Sequence, residues 1–340
     1  MSVELAPEDE LRLNVLLAGD LQAVRIDEGA GVLYGLTPRG EARITLNPVG
    51  RVEPYLMRVR EVLGGHALDS PGGYPVHLRR WTRMGQYSSA KLELLLKLGE
   101  PEAVTAVAHS PDLTDELARR TWWALPTMEM ARVMLVHDAV KQGVMGRVLA
   151  QHLIDHLPFE ENPVDAVDTV RAVLASRLLE PDAIEQLWRK AHRRPHYLIG
   201  FLECLPDALP IPTGQSVGFP RIGASTPAAR LLQRCFSPTG QAYLGAASLV
   251  LEKPLTHEVV YRLLDLLGAY FRDAAIHDDL IELGDWPQAC AAMVALAALN
   301  ARLADPILSR TTAVGPQMRR HLEPLFGPIL IHLNALKVQE

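Results

Sequence analysis

The spacing of apolar residues divides the chain into a short early region of strand-like runs and a long helical remainder. Residues 22–47 contain three short runs, AVRI, VLYGLT and ARITL, which are joined by the turn sequences DEGAG and TPRG. Short runs rich in β-branched residues and bounded by glycine and proline are typical of strands in tight hairpins. The early region is therefore predicted to form a three-stranded β-meander.

From about residue 92 onward the apolar residues recur at intervals of three and four, as they do on one face of a helix. Met145, Leu149 and Leu153 follow this spacing, and a second set runs from Leu322 to Leu333. This part of the chain is predicted to be helical throughout.

Prolines mark where many of these helices are expected to begin, because the first helical position does not need the N–H that proline lacks. The prolines that fit this role are Pro101, Pro111, Pro163, Pro181, Pro227 and Pro238. The side chains predicted to cap such helices are those of Ser110, Asn162, Thr226 and Ser237. Leu-Pro steps at 125–126, 157–158 and 205–206 predict helix ends.

The order helix, Leu-Pro turn, helix, at intervals of about 30 to 50 residues, is typical of stacked antiparallel helix pairs. The predicted fold is mainly α, with these pairs forming a HEAT-like solenoid or an irregular helical bundle after a small N-terminal β-meander. Four regions are predicted: 1–65 with an N-terminal helix, the meander and a further helix, 66–206 with helical repeats, 207–227 as a Pro/Gly-rich linker or loop, and 228–340 as a C-terminal helical region.

Composition narrows the functional classes. The chain has 340 residues, is 48% hydrophobic and has a net charge of -6 at pH 7, which argues against general binding of nucleic acids. Its three cysteines, Cys204, Cys235 and Cys290, lie far apart in apolar sequence, as expected for buried thiols in a reducing compartment. No signal peptide or membrane-spanning run is recognisable, and a cytoplasmic location is predicted.

Two clusters combine basic and aromatic residues and are predicted to form binding surfaces. The first is HLRRWTRMG, with Arg79, Arg80, Trp81 and Arg83, and the second lies in QLWRKAHRRPHYLIGF, with Trp188, Arg189, Lys190, Arg193, Arg194 and Tyr197. Such groups bind single-stranded RNA by phosphate contacts and stacking, and they also serve as protein contacts. The alternative for the second cluster is structural: Pro195 starts a new helix, so the cations offset the dipole of the preceding one.

The adjacent Trp122 and Trp123 are further candidate binding residues. Consecutive helical side chains point about 100° apart, so both rings are buried only if their helix is surrounded. An exposed ring at either position indicates a partner site.

Histidines offer two candidate metal sites. His152 and His156 lie one helical turn apart, close to Asp155, Glu160 and Glu161, although histidines that flank an apolar stripe are also typical of core packing. A His-Asp pair, His137 and Asp138, indicates a different possibility, an HD-type metal-dependent phosphohydrolase. The further ligands for that site would come from His109, His277, Asp278, Asp279 and Glu282. The distal acids fit a solvated helix end equally well.

Four long segments resemble the DsrS family of accessory proteins, which are cytoplasmic and encoded with the dissimilatory sulfite reductase cluster of sulfur-oxidising bacteria. The segments are SPGGYPVHLRRWTRMGQ, LTDELARRTWWALP, HLPFEENP and LWRKAHRRPHYLIGFLECLPDALP. The resemblance extends from the meander to about residue 210 and is weaker after the linker. It implies a supporting or regulatory role in sulfur oxidation, and it implies no catalytic residue or cofactor.

The functional prediction is therefore a non-enzymatic accessory protein that binds a partner. A protein of the sulfur-oxidation pathway is the expected partner, RNA is the alternative, and no membrane, metal or cofactor is expected. The residues predicted to carry the binding are the two basic-aromatic clusters and the Trp122-Trp123 pair.

Overall fold

The structure, a computed structural model, describes residues 4–68, 89–211, 226–275 and 286–338. These residues are mainly helical and include one three-stranded antiparallel sheet, so the predicted fold class is confirmed. The HEAT-like pairing of the helices stays a prediction. The chain divides into two compact units, Met1–Leu153 and Ile154–Glu340, each described by itself below.

The N-terminal unit contains the sheet and the first helices. Its strands are β1 (Ala23–Asp27), β2 (Val32–Thr37) and β3 (Gly40–Thr45). Its helices are α1 (Pro7–Leu17), α2 (Val52–Leu68), α3 (Ser89–Leu95), α4 (Pro101–Ala108), α5 (Asp115–Ala124), α6 (Met128–Met134), α7 (Asp138–Lys141) and α8 (Val144–His156), the last of which continues three residues past the boundary. The strand order is β1-β2-β3, which confirms the predicted meander.

A buried carboxylate joins α1 to α2 and to the segment after β3. Asp9 is fully buried and accepts hydrogen bonds from the Asn47 backbone N–H at 2.6 Å and from the Tyr55 hydroxyl at 2.6 Å. Burial and the bond to Asp9 together raise the pKa of Tyr55 to about 12. Because an unpaired buried carboxylate is strongly unfavourable, these bonds fix α1 on the sheet and on α2.

Helix α8 is capped by a residue from another helix. The Asp115 carboxylate, at the start of α5, accepts hydrogen bonds from the backbone N–H groups of Val144 and Met145 at 3.0 and 2.9 Å. Gly143 makes this approach possible, because a Cβ there would lie 2.1 Å from the Asp115 carboxylate. The first turns of α5 and α8 are thereby held together.

The C-terminal unit is built from helices. They are α9 (Pro163–Ser176), α10 (Pro181–Arg193), α11 (Tyr197–Cys204), α12 (Pro227–Cys235), α13 (Pro238–Glu252), α14 (His257–Tyr270), α15 (Pro287–Ala297), α16 (Asp305–Leu308) and α17 (Gly315–Ala335). A 3-10 turn, Leu157–Phe159, precedes α9. One extensive hydrophobic core joins these elements. Helices α9 and α11 cross closely because Gly200 has no side chain: a Cβ there would lie 2.7 Å from Val170.

Proline and capping residues define helix starts largely as predicted. Helices begin at Pro101, Pro163, Pro181, Pro227 and Pro238, and the side chains of Asn162, Thr226 and Ser237 accept backbone N–H bonds at three of these starts. The prediction for Pro111 is wrong. Helix α5 begins at Asp115, where Thr114 supplies the cap, while the Ser110 hydroxyl accepts from the Asp112 N–H within a turn.

Among the described helices, none is long and apolar enough to cross a bilayer. The apolar run at 288–304 is divided between α15, which ends at Ala297, and a separate 3-10 turn, Ala301–Leu303.

Candidate binding surface

The first basic-aromatic cluster, with Arg79, Arg80, Trp81 and Arg83, lies outside the described residues. Its predicted role therefore stays a prediction. The second cluster is described in full, and it separates into an exposed part and a buried part.

The exposed part consists of cations at the end of α10, named here the cationic end: Arg189, Lys190 and Arg193. All three residues are exposed. Arg189 lies 3.7 Å from Glu185 one turn earlier. Lys190 and Arg193 make no ion pair within the described ranges. Helix α10 begins beside Glu180 and Asp182 and ends in Lys190, His192 and Arg193, so its charges complement its dipole at both ends.

The two rings of this cluster are buried, which corrects the expectation that they line the binding surface. Trp188 is 8% exposed and meets Phe201 edge-on, with 4.9 Å between ring centroids. Tyr197 is 2% exposed, and its hydroxyl donates to the Leu157 carbonyl oxygen at 3.1 Å. Both side chains belong to the core because they lie on the inner faces of α10 and α11.

Arg194 links the end of α10 to the 3-10 turn before α9. Its guanidinium donates to the Pro158 carbonyl oxygen at 3.1 Å and to the Tyr197 hydroxyl at 3.0 Å. The same group lies 5.8 Å from the centroid of the Tyr197 ring. Arg194 therefore acts as a structural anchor for the turn.

The anchored turn presents an aromatic residue that the sequence analysis missed. Phe159 follows Pro158 directly and is 78% exposed. The hydrogen bond from Arg194 to the Pro158 carbonyl oxygen holds this turn against the end of α10. Arg194 itself follows Arg193 in the chain. A sequence signal existed: Phe159 stands between a Leu-Pro step and two glutamates, outside any apolar spacing of three and four.

Next to Arg194, an imidazole is held in its neutral form. His196 is 8% exposed, and its Nδ1 has no hydrogen-bond partner among the residues described. Burial, reinforced by the positive charge of Arg194, lowers the pKa of His196 to about 4. This histidine therefore adds no positive charge to the cationic end near neutral pH.

In the N-terminal unit, Trp122 and Trp123 are both half-buried and contact different elements. The Trp123 Nε1 donates to the Glu41 carboxylate at 3.0 Å, and the Arg25 guanidinium lies 5.0 Å from its ring centroid. Trp122 meets His152 of α8 edge-on at 4.7 Å. Helix α5 is thus flanked on two sides, and neither ring is presented as an exposed contact.

The candidate metal ligands are engaged in other contacts. His137 Nε2 lies 3.2 Å from the Ala108 carbonyl oxygen, and His109 Nδ1 lies 2.9 Å from that of Thr105. The exposed Asp138 forms an ion pair with Lys141 at 2.7 Å, and the hydrogen bond in this pair lowers its pKa.

The distal residues of the hydrolase hypothesis, His277, Asp278, Asp279 and Glu282, lie outside the described residues. In the parts of the chain that the structure does describe, which include His152 and His156, no group of three potential ligands could hold a metal ion.

The cysteines carry thiols rather than disulfides. Burial raises the pKa of Cys204 to about 11 and that of Cys235 to about 12, and it also raises the pKa of Cys290. The thiolate is the reactive form, so burial disfavours nucleophilic chemistry at these thiols.

Fold and surface together define a mainly helical protein with a cationic helix end, which Arg194 joins to a turn that carries an exposed phenylalanine. No family model, curated protein or solved structure matches the chain.

Proposed function

We propose that the chain is a non-enzymatic, cytoplasmic accessory protein of dissimilatory sulfur oxidation that binds an acidic protein partner. Binding takes place at the α10 surface, defined as Lys190, Arg193 and Phe159. The sulfur-oxidation context is supported by the four segments that resemble DsrS proteins, two of which, HLPFEENP and LWRKAHRRPHYLIGFLECLPDALP, contain this surface.

The observation that carries the proposal is the exposure of Phe159 in a turn that Arg194 joins to the end of α10, where Lys190 and Arg193 make no ion pair with a described residue. Full burial of a phenylalanine side chain stabilises a protein by about 1.5–3 kcal/mol, and at 78% exposure most of that is not realised in the free chain. An aromatic anchor with neighbouring cations is typical of protein contacts that combine one apolar pocket with acidic groups around it.

A protein is favoured over RNA as the partner because of charge and ring burial. A single strand stacks successive bases on several exposed aromatic faces, but Trp188 and Tyr197 are buried and leave Phe159 as the one exposed ring of this surface. The net charge of -6 also opposes the long-range attraction that RNA binding uses.

The test is affinity purification from sulfur-oxidising cells with the wild-type chain, a Phe159→Ser/Lys190→Glu/Arg193→Glu variant and a control. The control, Arg302→Glu/Arg310→Glu, reverses two exposed cations elsewhere in the same unit. An acidic sulfur-oxidation protein is expected with the wild type and the control, and its loss is expected with the α10 variant.

Equal recovery of that protein by the α10 variant would refute the proposed surface. Loss of the captured material on nuclease treatment would identify RNA as the bound species. Capture that contains no protein of sulfur metabolism would refute the pathway assignment.

A further inference from the structure

A cleft of about 470 Å³ lies in the C-terminal unit between the end of α13 and the start of α17. It is separate in sequence from the α10 surface. The residues that line it are Glu252, Lys253, Pro254, Leu255, Gly315, Pro316, Arg319, Arg320 and Glu323. Its volume falls within the range of roughly 300–1,000 Å³ that is usual for small-molecule sites.

The two walls of the cleft are held together by one backbone hydrogen bond and one bond between a side chain and the backbone. The Gly315 N–H donates to the Leu255 carbonyl oxygen at 3.0 Å. Gly315 has a φ of 58°, in the left-handed region that favours glycine, so this connection depends on the residue present. Close by, His257 Nε2 lies 2.9 Å from the Ala313 carbonyl oxygen. The cleft is therefore preformed.

The lining combines an apolar wall with three cations. Pro254, Leu255 and Pro316 supply the apolar part. Lys253, Arg319 and Arg320 form no side-chain hydrogen bond or ion pair with any described residue. Such cations, facing an apolar wall across a cleft, match the two ends of an amphipathic anion.

The two carboxylates in the lining form no ion pair with these cations among the described residues. Glu323 lies four residues after Arg319 and three after Arg320, yet it forms an ion pair with neither within the described ranges. Glu252 acts on a different cation: burial lowers the pKa of Lys337, and the charge of Glu252 partly offsets that effect. Three cations against two carboxylates leave the cleft positively charged.

Helix stability does not account for the position of the arginines. Helix α17 has no acidic residue in its first turn and no side-chain cap, and Arg319 and Arg320 follow one turn later. Side chains in a helix lean toward its N-terminus, which is the positive end of the dipole, so the dipole gives these arginines no stabilisation.

We propose that this cleft binds a small organic anion. Its apolar body lies on Pro254, Leu255 and Pro316, and its carboxylate or phosphate group is bound by Lys253, Arg319 and Arg320. A bound anion compensates both the arginines and the open helix start. The inference does not depend on the function proposed for the α10 surface.

The test uses isothermal titration of the full-length protein with octanoate, octyl phosphate, octanol and inorganic phosphate, each below its micelle concentration. Octanoate and octyl phosphate distinguish the two acid groups, while octanol lacks the charge and inorganic phosphate lacks the apolar body. At least one of the two amphipathic anions is expected to bind, and to bind at least tenfold more tightly than octanol or inorganic phosphate.

An Arg319→Gln/Arg320→Gln variant is expected to weaken binding of that anion by at least tenfold, since hydrogen bonds to charged groups contribute at this level. The matched control is Arg302→Gln/Arg310→Gln, which removes two exposed cations that do not line the cleft and should leave the affinity unchanged.

Three results would overturn the proposal: no binding of either amphipathic anion, comparable binding of octanol or inorganic phosphate, or unchanged affinity in the cleft variant. An alternative probe of the apolar wall, Leu255→Asp, should also abolish binding. Thermal unfolding of each variant establishes that it is folded.

Discussion

Helices α10 and α17 both carry clustered cations, but the clusters lie at opposite ends of the helix dipole. In α10 the cations lie in the last turn, where they offset the exposed carbonyl groups. In α17 the arginines come one turn after the start, where no acid or side-chain cap accompanies them. The helix dipole thus favours the cluster in α10 and does not favour the cluster in α17.

The comparison shows which charges are evidence for binding. Helix stability alone accounts for the cations at the end of α10, so at that end the evidence for binding is the exposed Phe159. At α17 the cations themselves require an explanation, because a protein gains nothing in the free state from charge placed against the dipole. The end of the helix at which basic residues lie is therefore better evidence for binding than the number of basic residues.

The largest expected effect is on the free energy of unfolding, and it distinguishes the buried Trp188 ring from the exposed Phe159 ring. Trp188→Ala should lower the free energy of unfolding by about 3–5 kcal/mol, because it removes a large side chain from the core. Phe159→Ser should change it by less than about 0.5 kcal/mol. Urea unfolding measures both, and a small loss at Trp188 would place that ring outside the core.

A smaller effect is the loss of folding stability at low pH that follows from the lowered pKa of the buried His196. Between pH 6.5 and about 4 the unfolded chain binds a proton at His196 that the folded chain does not. Stability contributed by the neutral imidazole is present above pH 6.5 and lost as the pH falls, by roughly 2–3 kcal/mol at pH 4.

His196→Gln should remove this part of the pH dependence, because glutamine does not titrate. The comparison is the difference between the unfolding free energies of wild type and variant, measured from pH 7 to pH 4. Parallel pH profiles for the two proteins would mean that the imidazole titrates normally in the folded chain.

The smallest effect is the change in the free energy of unfolding when cations are removed from α10 or from α17, and the two changes are expected to have opposite signs. Lys190→Gln/Arg193→Gln should lower the free energy of unfolding by about 0.3–1 kcal/mol per charge, whereas Arg319→Gln/Arg320→Gln should raise it by up to a similar amount. Both changes should shrink at high ionic strength, since exposed charges are screened. Urea unfolding of the two variants at low and high salt provides the measurement, and equal signs would contradict the dipole argument.

Local sequence signals predicted the elements of the fold well. The strands of the meander and the helix starts at Pro163, Pro227 and Pro238 follow from turn and capping chemistry that acts over a few residues. The failure at Pro111 has the same origin. Thr114 competes as a cap, and its hydroxyl accepts the Leu117 N–H at 3.2 Å, so the helix starts later.

The candidate sites were less predictable because they depend on distant residues. Trp188 was assigned to a surface from its basic neighbours, although Leu187 and Ala191 place it on the inner face of α10. The cleft unites Lys253 with Arg319, and no local pattern joins two residues so far apart in the sequence. Likewise, the engagement of His137 by the Ala108 carbonyl oxygen depends on tertiary packing.

The raised thiol pKa values decide how two cysteines of the C-terminal unit respond to sulfur donors and oxidants. Persulfides and polysulfides exchange with thiolates, and burial favours the protonated form of Cys204 and Cys235, whose pKa values are about 11 and about 12. Exchange at these two thiols is therefore slow near neutral pH, and both side chains serve as small apolar packing groups.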